Sequence, residues 1–366
     1  MRIIIAERLK PFTHLPGFST PLPGTPYKIQ IFPTLLRIFD ITEHPARFVS
    51  EWQIKIKGPV EQFTFCNDLE KGRITVSGRS HEGWLRYHLI GAMDGKGIRL
   101  AAERTPGKGL QIQGSLEFFL RNREWCDLIL PISAFEPFCI PRCDRLSLGV
   151  TKAQDWDLVR RRKQLVEILP FVHRLGQIIH QQYRVNDQDG GTLSLLNDCF
   201  ESLTSKKTEE LQERLNLLLL GCFNEMLVPE LEDCNYQGLI DSNEALPFGL
   251  SPLSILHRCS RLIRAIFIQQ EHNELVILPS LIPAMHCGRL IDVAVGGGIV
   301  GIEWSKKAIR RIVFTPDVDK EWIFAFRSNV KSFRLRRSFK DKGERISNGK
   351  PFFFEKGGYY FFDNFQ

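Results

Sequence analysis

The chain has 366 residues, 43% hydrophobic and 25% charged, with nine cysteines and a formal net charge of +7. That length buries roughly three quarters of the unfolded surface, which removes the need for a disulfide or metal staple, and the composition excludes a disordered or fibrous chain. The positive excess is local: from Gly301 onward there are 15 Lys and Arg against 8 Asp and Glu, whereas residues 1–300 carry 34 of each.

At the amino terminus only Ile3, Ile4 and Ile5 interrupt the charges, too short a run for a secretory core. The most apolar helical run, Leu215 to Phe223, has nine residues, against roughly 20 needed to cross a bilayer. The closest cysteine pair, Cys139 and Cys143, is spaced CIPRC with no His at ligand spacing. The expectation is a soluble cytoplasmic protein with free thiols, no metal, no cofactor and no membrane contact.

Lys10 to Pro33 holds six prolines, which excludes helix and predicts an extended segment draped over a sheet. Strands follow from Leu35 to Phe39 and at Trp52, Ile54 and Ile56, where apolar residues alternate with Gln53, Lys55 and Lys57. The same period of two continues through Phe63, Phe65, Ile74, Val76, Leu85, Tyr87, Leu89, Leu110, Ile112 and Leu116. Residues 1–150 therefore read as an antiparallel β-domain of sandwich type.

The period then becomes helical, and residues 151–272 read as a helical domain. Leu165, Ile168, Leu169, Val172, Leu175 and Ile179 share one face, with Pro170 expected to kink or divide that helix. A short helix from Leu193 to Leu203 follows. The stripe Leu211, Leu215, Leu218, Leu219, Cys222 and Met226 then runs until Pro229 stops it, and Ser251 with Pro252 opens a last helix through Ile266. Residues 273–366 return to strands, at Ile309 to Phe314, Trp322 to Phe326, Phe333 to Arg337 and Pro351 to Phe362, with Gly357-Gly358 as a hairpin turn. The fold class is multidomain α+β: antiparallel β, helical middle, antiparallel β.

Between the last helix and those strands lies Leu275 to Trp304, LVILPSLIPAMHCGRLIDVAVGGGIVGIEW. Pro279 and Pro283 forbid helix, Leu290 to Val295 reads as a strand entering Gly296-Gly297-Gly298, and Ile299 to Trp304 as a strand leaving it. Strand-like residues on both sides make the triple glycine a tight turn and not a phosphate cradle. Leu278-Pro279-Ser280-Leu281-Ile282-Pro283, Gly288, the triple glycine and Glu303-Trp304 resemble the junction between helices and C-terminal β-domain in glycoside hydrolases built as a toroid of helical hairpins, the α-L-fucosidase type. The likeness covers about a quarter of the chain. It implies a reduced αα-toroid-like middle and a carbohydrate ligand. Asp155 to Gln270 holds only 116 residues. That is room for roughly four to six helices, too few to close such a toroid.

Glycoside hydrolysis needs a general acid and a second carboxylate across the scissile bond. The resemblance places a cleft at helix ends, and among Glu225, Glu230, Glu232 and Asp233 the loop VPELEDCNYQG offers Glu230 or Glu232 as acid and Asp233 to orient water. Asn235, Tyr236 and Gln237 are its candidate sugar-binding residues. No carboxylate maps onto a catalytic motif of that family. The sequence thus favours a non-catalytic relative that binds a carbohydrate or a protein partner, over an active α-fucosidase-like glycosidase. His173 and His180 share a helix face, but no carboxylate stands one turn away, so they read as structural. In the basic region Phe333 and Leu335 alternate with Arg334 and Arg336, and Phe339 follows. One solvated strand face explains that pattern, so nucleic acid is not expected as a partner; its binding through this domain would be strongly salt-dependent.

Overall fold

The computed structural model describes residues 2–366 apart from 93, 94, 96, 131–142, 180–189, 234, 236, 241–245, 247, 248, 327–329 and 339. The alternating amino-terminal region forms β1 (Phe12–Thr13), β2 (Phe18–Pro21), β3 (Tyr27–Ile31), β4 (Leu35–Asp40), β5 (Arg47–Lys55) and β6 (Glu61–Asp68). It continues with β7 (Arg73–Ser80), β8 (Gly83–Gly91), β9 (Gly97–Arg104), β10 (Leu110–Gln113), β11 (Glu117–Leu120) and β12 (Trp125–Ile129). These make two antiparallel six-stranded sheets, ordered β1-β6-β7-β8-β9-β12 and β11-β10-β5-β4-β3-β2. Phe65 and Tyr87 from the first, with Tyr27 and Trp52 from the second, are fully buried in one core. Alternation is the cause: in β7 Ile74 and Val76 face inward while Arg73, Thr75 and Ser77 stay partly exposed.

Two local expectations change. The proline-rich segment is not draped over a sheet but supplies β1, β2 and β3; Pro21 is tolerated because β2 is an edge strand, where a missing N–H breaks no central ladder. Leu116 lies in the turn between β10 and β11 and is 54% exposed.

The helical region contains α1 (Trp156–Arg162), α2 (Leu165–Gln177), α3 (Leu193–Thr204), α4 (Thr208–Cys222) and α5 (Leu253–Phe267). Helix α1 was not anticipated, although its signal is present: the Asp155 carboxylate accepts from Asp157 N at 3.0 Å, and the last turn carries Arg160, Arg161 and Arg162. Helix α2 runs undivided through Pro170, its inner side buried against its neighbours. Gly176 lets it approach α5 closely, since a Cβ there would lie 2.0 Å from the Leu256 carbonyl oxygen. Helix α4 ends at Cys222, short of Met226, because Phe223 adopts extended backbone. At α5 the Ser251 hydroxyl accepts from Leu253 N at 3.3 Å, so Ser251 serves the helix start from one position further out than expected.

A short strand before the helices, β13 (Arg145–Ser147), pairs with the carboxy-terminal region. Between α4 and α5 lies the two-stranded hairpin β14 (Phe223–Asn224) and β15 (Val228–Pro229); the carboxy-terminal region begins with β16 (Ile268–Glu271), β17 (Glu274–Ile277), β18 (Gly288–Val295), β19 (Gly298–Ser305) and β20 (Ala308–Pro316). It ends with β21 (Lys320–Phe326), β22 (Ser332–Arg336), β23 (Glu344–Ser347), β24 (Pro351–Phe354) and β25 (Tyr360–Asp363). One sheet is ordered β13-β18-β19-β20-β25-β22-β23 and the other β16-β17-β21-β24. Every ladder is antiparallel except β17 with β21. The triple glycine is the β18–β19 turn: Gly297 sits at φ 147°, and a Cβ would meet the Trp322 ring at 2.8 Å.

The Gly357-Gly358 turn does not join a hairpin. Strand β24 pairs with β21 in one sheet and β25 with β20 and β22 in the other. The aromatic residues decide this, because Phe314, Phe324, Phe354 and Phe362 pack ring on ring between the two sheets, at centroid separations from 4.5 to 6.2 Å.

Candidate functional site

The end of α4 sets up a spacious concavity. Past Cys222 the chain turns through Glu225 (φ 46°) and Leu227 (φ 62°), a left-handed path that costs energy in non-glycine residues and needs support. The support comes from both neighbouring regions. The Glu225 carboxylate accepts from Ser19 N at 2.8 Å, Met226 N donates to Ser19 O at 3.2 Å, and the Trp156 indole N–H donates to Glu225 O at 2.5 Å. The hairpin is thereby clamped between β2 and α1.

Beside it opens a groove of about 860 Å³. Trp156, Ile168, Leu219 and Phe223 supply its apolar surface, and the amides of Asn216, Asn224, Asn235 and Gln237 line it together with Asp157 and Glu225. Arg160, Arg161 and Lys163, from the last turn and C-cap of α1, complete the wall. Asp157 is held by the Thr13 hydroxyl, which donates to it at 3.0 Å, and Arg160 lies over the Phe18 ring at 5.1 Å. Arg162 turns away and pairs with Glu167 at 2.7 Å; burial pushes the Glu167 carboxyl up, but Arg162 and Lys152 outweigh it and hold it below its ordinary range.

The loop residues divide. Asn235 and Gln237 line the groove, and Gln237 also donates to Leu220 O at 3.3 Å. Tyr236 lies outside the described residues. Glu230 is directed to Lys28 of β3 at 3.7 Å, Glu232 to His44 at 3.2 Å, and the Asp233 carboxylate accepts from Leu239 N at 3.2 Å. These three tie the loop to the amino-terminal sheets and to itself. The groove instead gathers Asp157, Asn216, Asn224 and Glu225. Of these only Glu225 stood out in the sequence; the others come from α1 and from the faces of α4 and β14, and no spacing rule joins them.

A second constellation is buried. The Ser260 hydroxyl lies 3.1 Å from His173 Nδ1, and His173 Nε2 lies 3.8 Å from an Asp144 oxygen. The order matches a nucleophile, base and acid, yet the three residues are 5%, 1% and 5% exposed, beyond the reach of a substrate. Burial pushes the Asp144 carboxyl up to about 6, opposed by Arg264 at 3.4 Å, and burial pushes the His173 imidazole down to about 3. At neutral pH the contact therefore joins a carboxylate to a neutral imidazole and is not an ion pair. His180 lies outside the described residues, and among those described no three His, Cys, Asp or Glu gather as metal ligands.

In the basic carboxy-terminal region Phe333 and Leu335 are buried and Arg334 and Arg336 are not, as the alternation predicts. Both arginines converge on Asp363, with Arg334 Nε at 2.8 Å. Arg289 and Arg311 likewise share Glu303, and Phe339 lies outside the described residues. No helix among the described residues is long and apolar enough to cross a membrane. No protein family and no curated relative matches this chain.

Proposed function

We propose that the protein is a non-catalytic carbohydrate-binding relative of glycoside hydrolases, with the groove between α1 and the β14–β15 hairpin as its site. The observation that carries this reading is the lining: four side-chain amides and two carboxylates around an apolar surface of Ile168, Leu219 and Phe223, with the buried Trp156 beneath it. Hydroxyl-rich rings need donors and acceptors at their edges and apolar contact on their faces, and this set supplies both. Two features favour binding over hydrolysis. Asp157 and Glu225 are already engaged by Thr13 and Ser19, and Glu230 and Glu232 are directed at Lys28 and His44 instead of at each other across the groove.

The test is calorimetric titration with neutral oligosaccharides beside an aryl-glycoside panel led by α-fucosides and α-galactosides. Saccharide binding weakened by Gln237→Ala and Asn224→Ala, without turnover, is expected. Turnover abolished by Glu225→Gln, Glu230→Gln, Glu232→Gln or Asp233→Asn would replace this reading with an active glycosidase.

A further inference from the structure

We infer that the outer face of the first amino-terminal sheet carries a ligand site separate from the groove, built from Trp84, Arg86, Arg104 and Ser77, that takes an acidic sugar ring. Three observations converge there. First, Trp84 on β8 is 47% exposed, and among the described residues no cation or aromatic ring stacks on its face, although Arg79 stands directly opposite it on β7. On the same sheet, Trp125 is 54% exposed but carries the Arg99 guanidinium over its ring at 3.8 Å, so one of the two surface indoles already has a cation stacked on it. Second, the β8–β9 register sets Arg86 directly opposite Arg104. Like charges in that position destabilise a sheet. The neighbouring acid is Glu103, which lies 3.5 Å from Arg86 and is shared with His88 at 3.0 Å, whereas Arg104 makes no ion pair among the described residues. Arg99 shows the compensated alternative, bound through Nε and a second nitrogen to both Asp127 oxygens.

Third, the register shifts between Arg86 and Tyr87, whose partners are Arg104 and Ala102, so Glu103 is an inserted residue in β9. Such bulges re-aim side chains and recur next to binding sites. Here the insertion brings Arg104 opposite Arg86, at the rim of a depression of about 200 Å³ that Ser77 and Trp84 also line.

The chemistry selects the ligand. An indole face takes the CH side of a pyranose, two guanidinium groups bind a carboxylate in bidentate fashion, and the Ser77 hydroxyl reaches a ring hydroxyl. A uronic acid residue presents all three. Single-stranded nucleic acid would need successive stacking platforms along a basic track, and this depression offers one ring.

The experiment is calorimetric titration with trigalacturonic acid, the neutral galactotriose and an oligothymidylate. Trigalacturonic acid is expected to bind, at least tenfold more weakly in Trp84→Ala and in Arg104→Gln, and equally well in Gln237→Ala, which alters only the groove. Arg104→Gln should also raise the urea midpoint, because it removes the opposed charges; that gain shows that the variant is folded while its binding is lost. Unchanged affinity in Arg104→Gln, a lowered midpoint, a loss in Gln237→Ala equal to that in Arg104→Gln, or oligothymidylate bound through Trp84 in place of trigalacturonic acid would each overturn the proposal.

Discussion

Removing either member of the buried His173–Asp144 pair should tilt stability against pH in opposite directions. The groups that face the pair are Arg174 on α2, Ser260 and Arg264 on α5, and Asp292 on β18. His173 falls from its ordinary 6.5 to about 3, so between those values the unfolded chain takes up a proton that the folded one refuses, and stability drops as pH falls. Asp144 rises from 3.8 to about 6, so there the folded chain binds the extra proton, and stability grows as pH falls. Between about pH 7 and about pH 5, linkage gives a loss of about 2 kcal/mol from His173 and a gain of about 1 kcal/mol from Asp144. In the intact protein the two partly cancel. Urea unfolding of Asp144→Asn and His173→Asn at both pH values isolates them, because all other titrating groups are common and drop out on subtraction. His173→Asn retains a donor toward Ser260 while removing the titration. The change in stability on acidification should differ between the variants by about 3 kcal/mol, with Asp144→Asn the more destabilised by acid. Parallel responses would refute the assignment of both groups.

Gly288→Ala should destabilise by about 1–3 kcal/mol, because its Cβ would lie 2.3 Å from the Trp304 ring, itself fixed by donation to Met285 O at 3.1 Å. Thermal or urea unfolding measures this, and a neutral substitution would mean that the Trp304 pocket yields. Burial pushes the Cys199 and Cys222 thiols up to about 12 and also holds that of Cys259 well above its ordinary range, so alkylation of the native protein should leave these three intact until denaturant is added. Rapid native labelling of any of them would contradict their placement. Because Arg334 and Arg336 are matched to Asp363, filter binding at low salt should retain no RNA through this strand. Retention lost on Arg334→Gln with a steep salt slope would show the opposite.

Periodicity was enough to assign the order β, α, β, because alternate residues of a strand and every third or fourth residue of a helix must meet the same side of a core whatever the partner is. The strands around Trp52, Ile74, Leu85 and the triple glycine, and the helix Leu193–Thr204, are legible for that reason. Which strands pair is a different kind of information. That β13 leaves the amino-terminal sheets to join β18 is a pairing between residues far apart in the chain, and that β24 and β25 part across Gly357-Gly358 into separate sheets follows from aromatic packing of the same long range. The groove shows the same limit. Asn235 and Gln237 could be picked out because they sit together in one polar loop, but their companions Asp157, Asn216 and Glu225 reach them from α1, from α4 and from the turn that Ser19 holds. The acids at positions 230, 232 and 233 could be given roles only by their place in one loop; their surroundings, Lys28, His44 and the backbone of Leu239, come from tertiary contact alone. Burial, and the charges that burial brings within a few ångströms, are properties of the folded chain, and it is they that separate the residues lining the groove from those that tie the loop down.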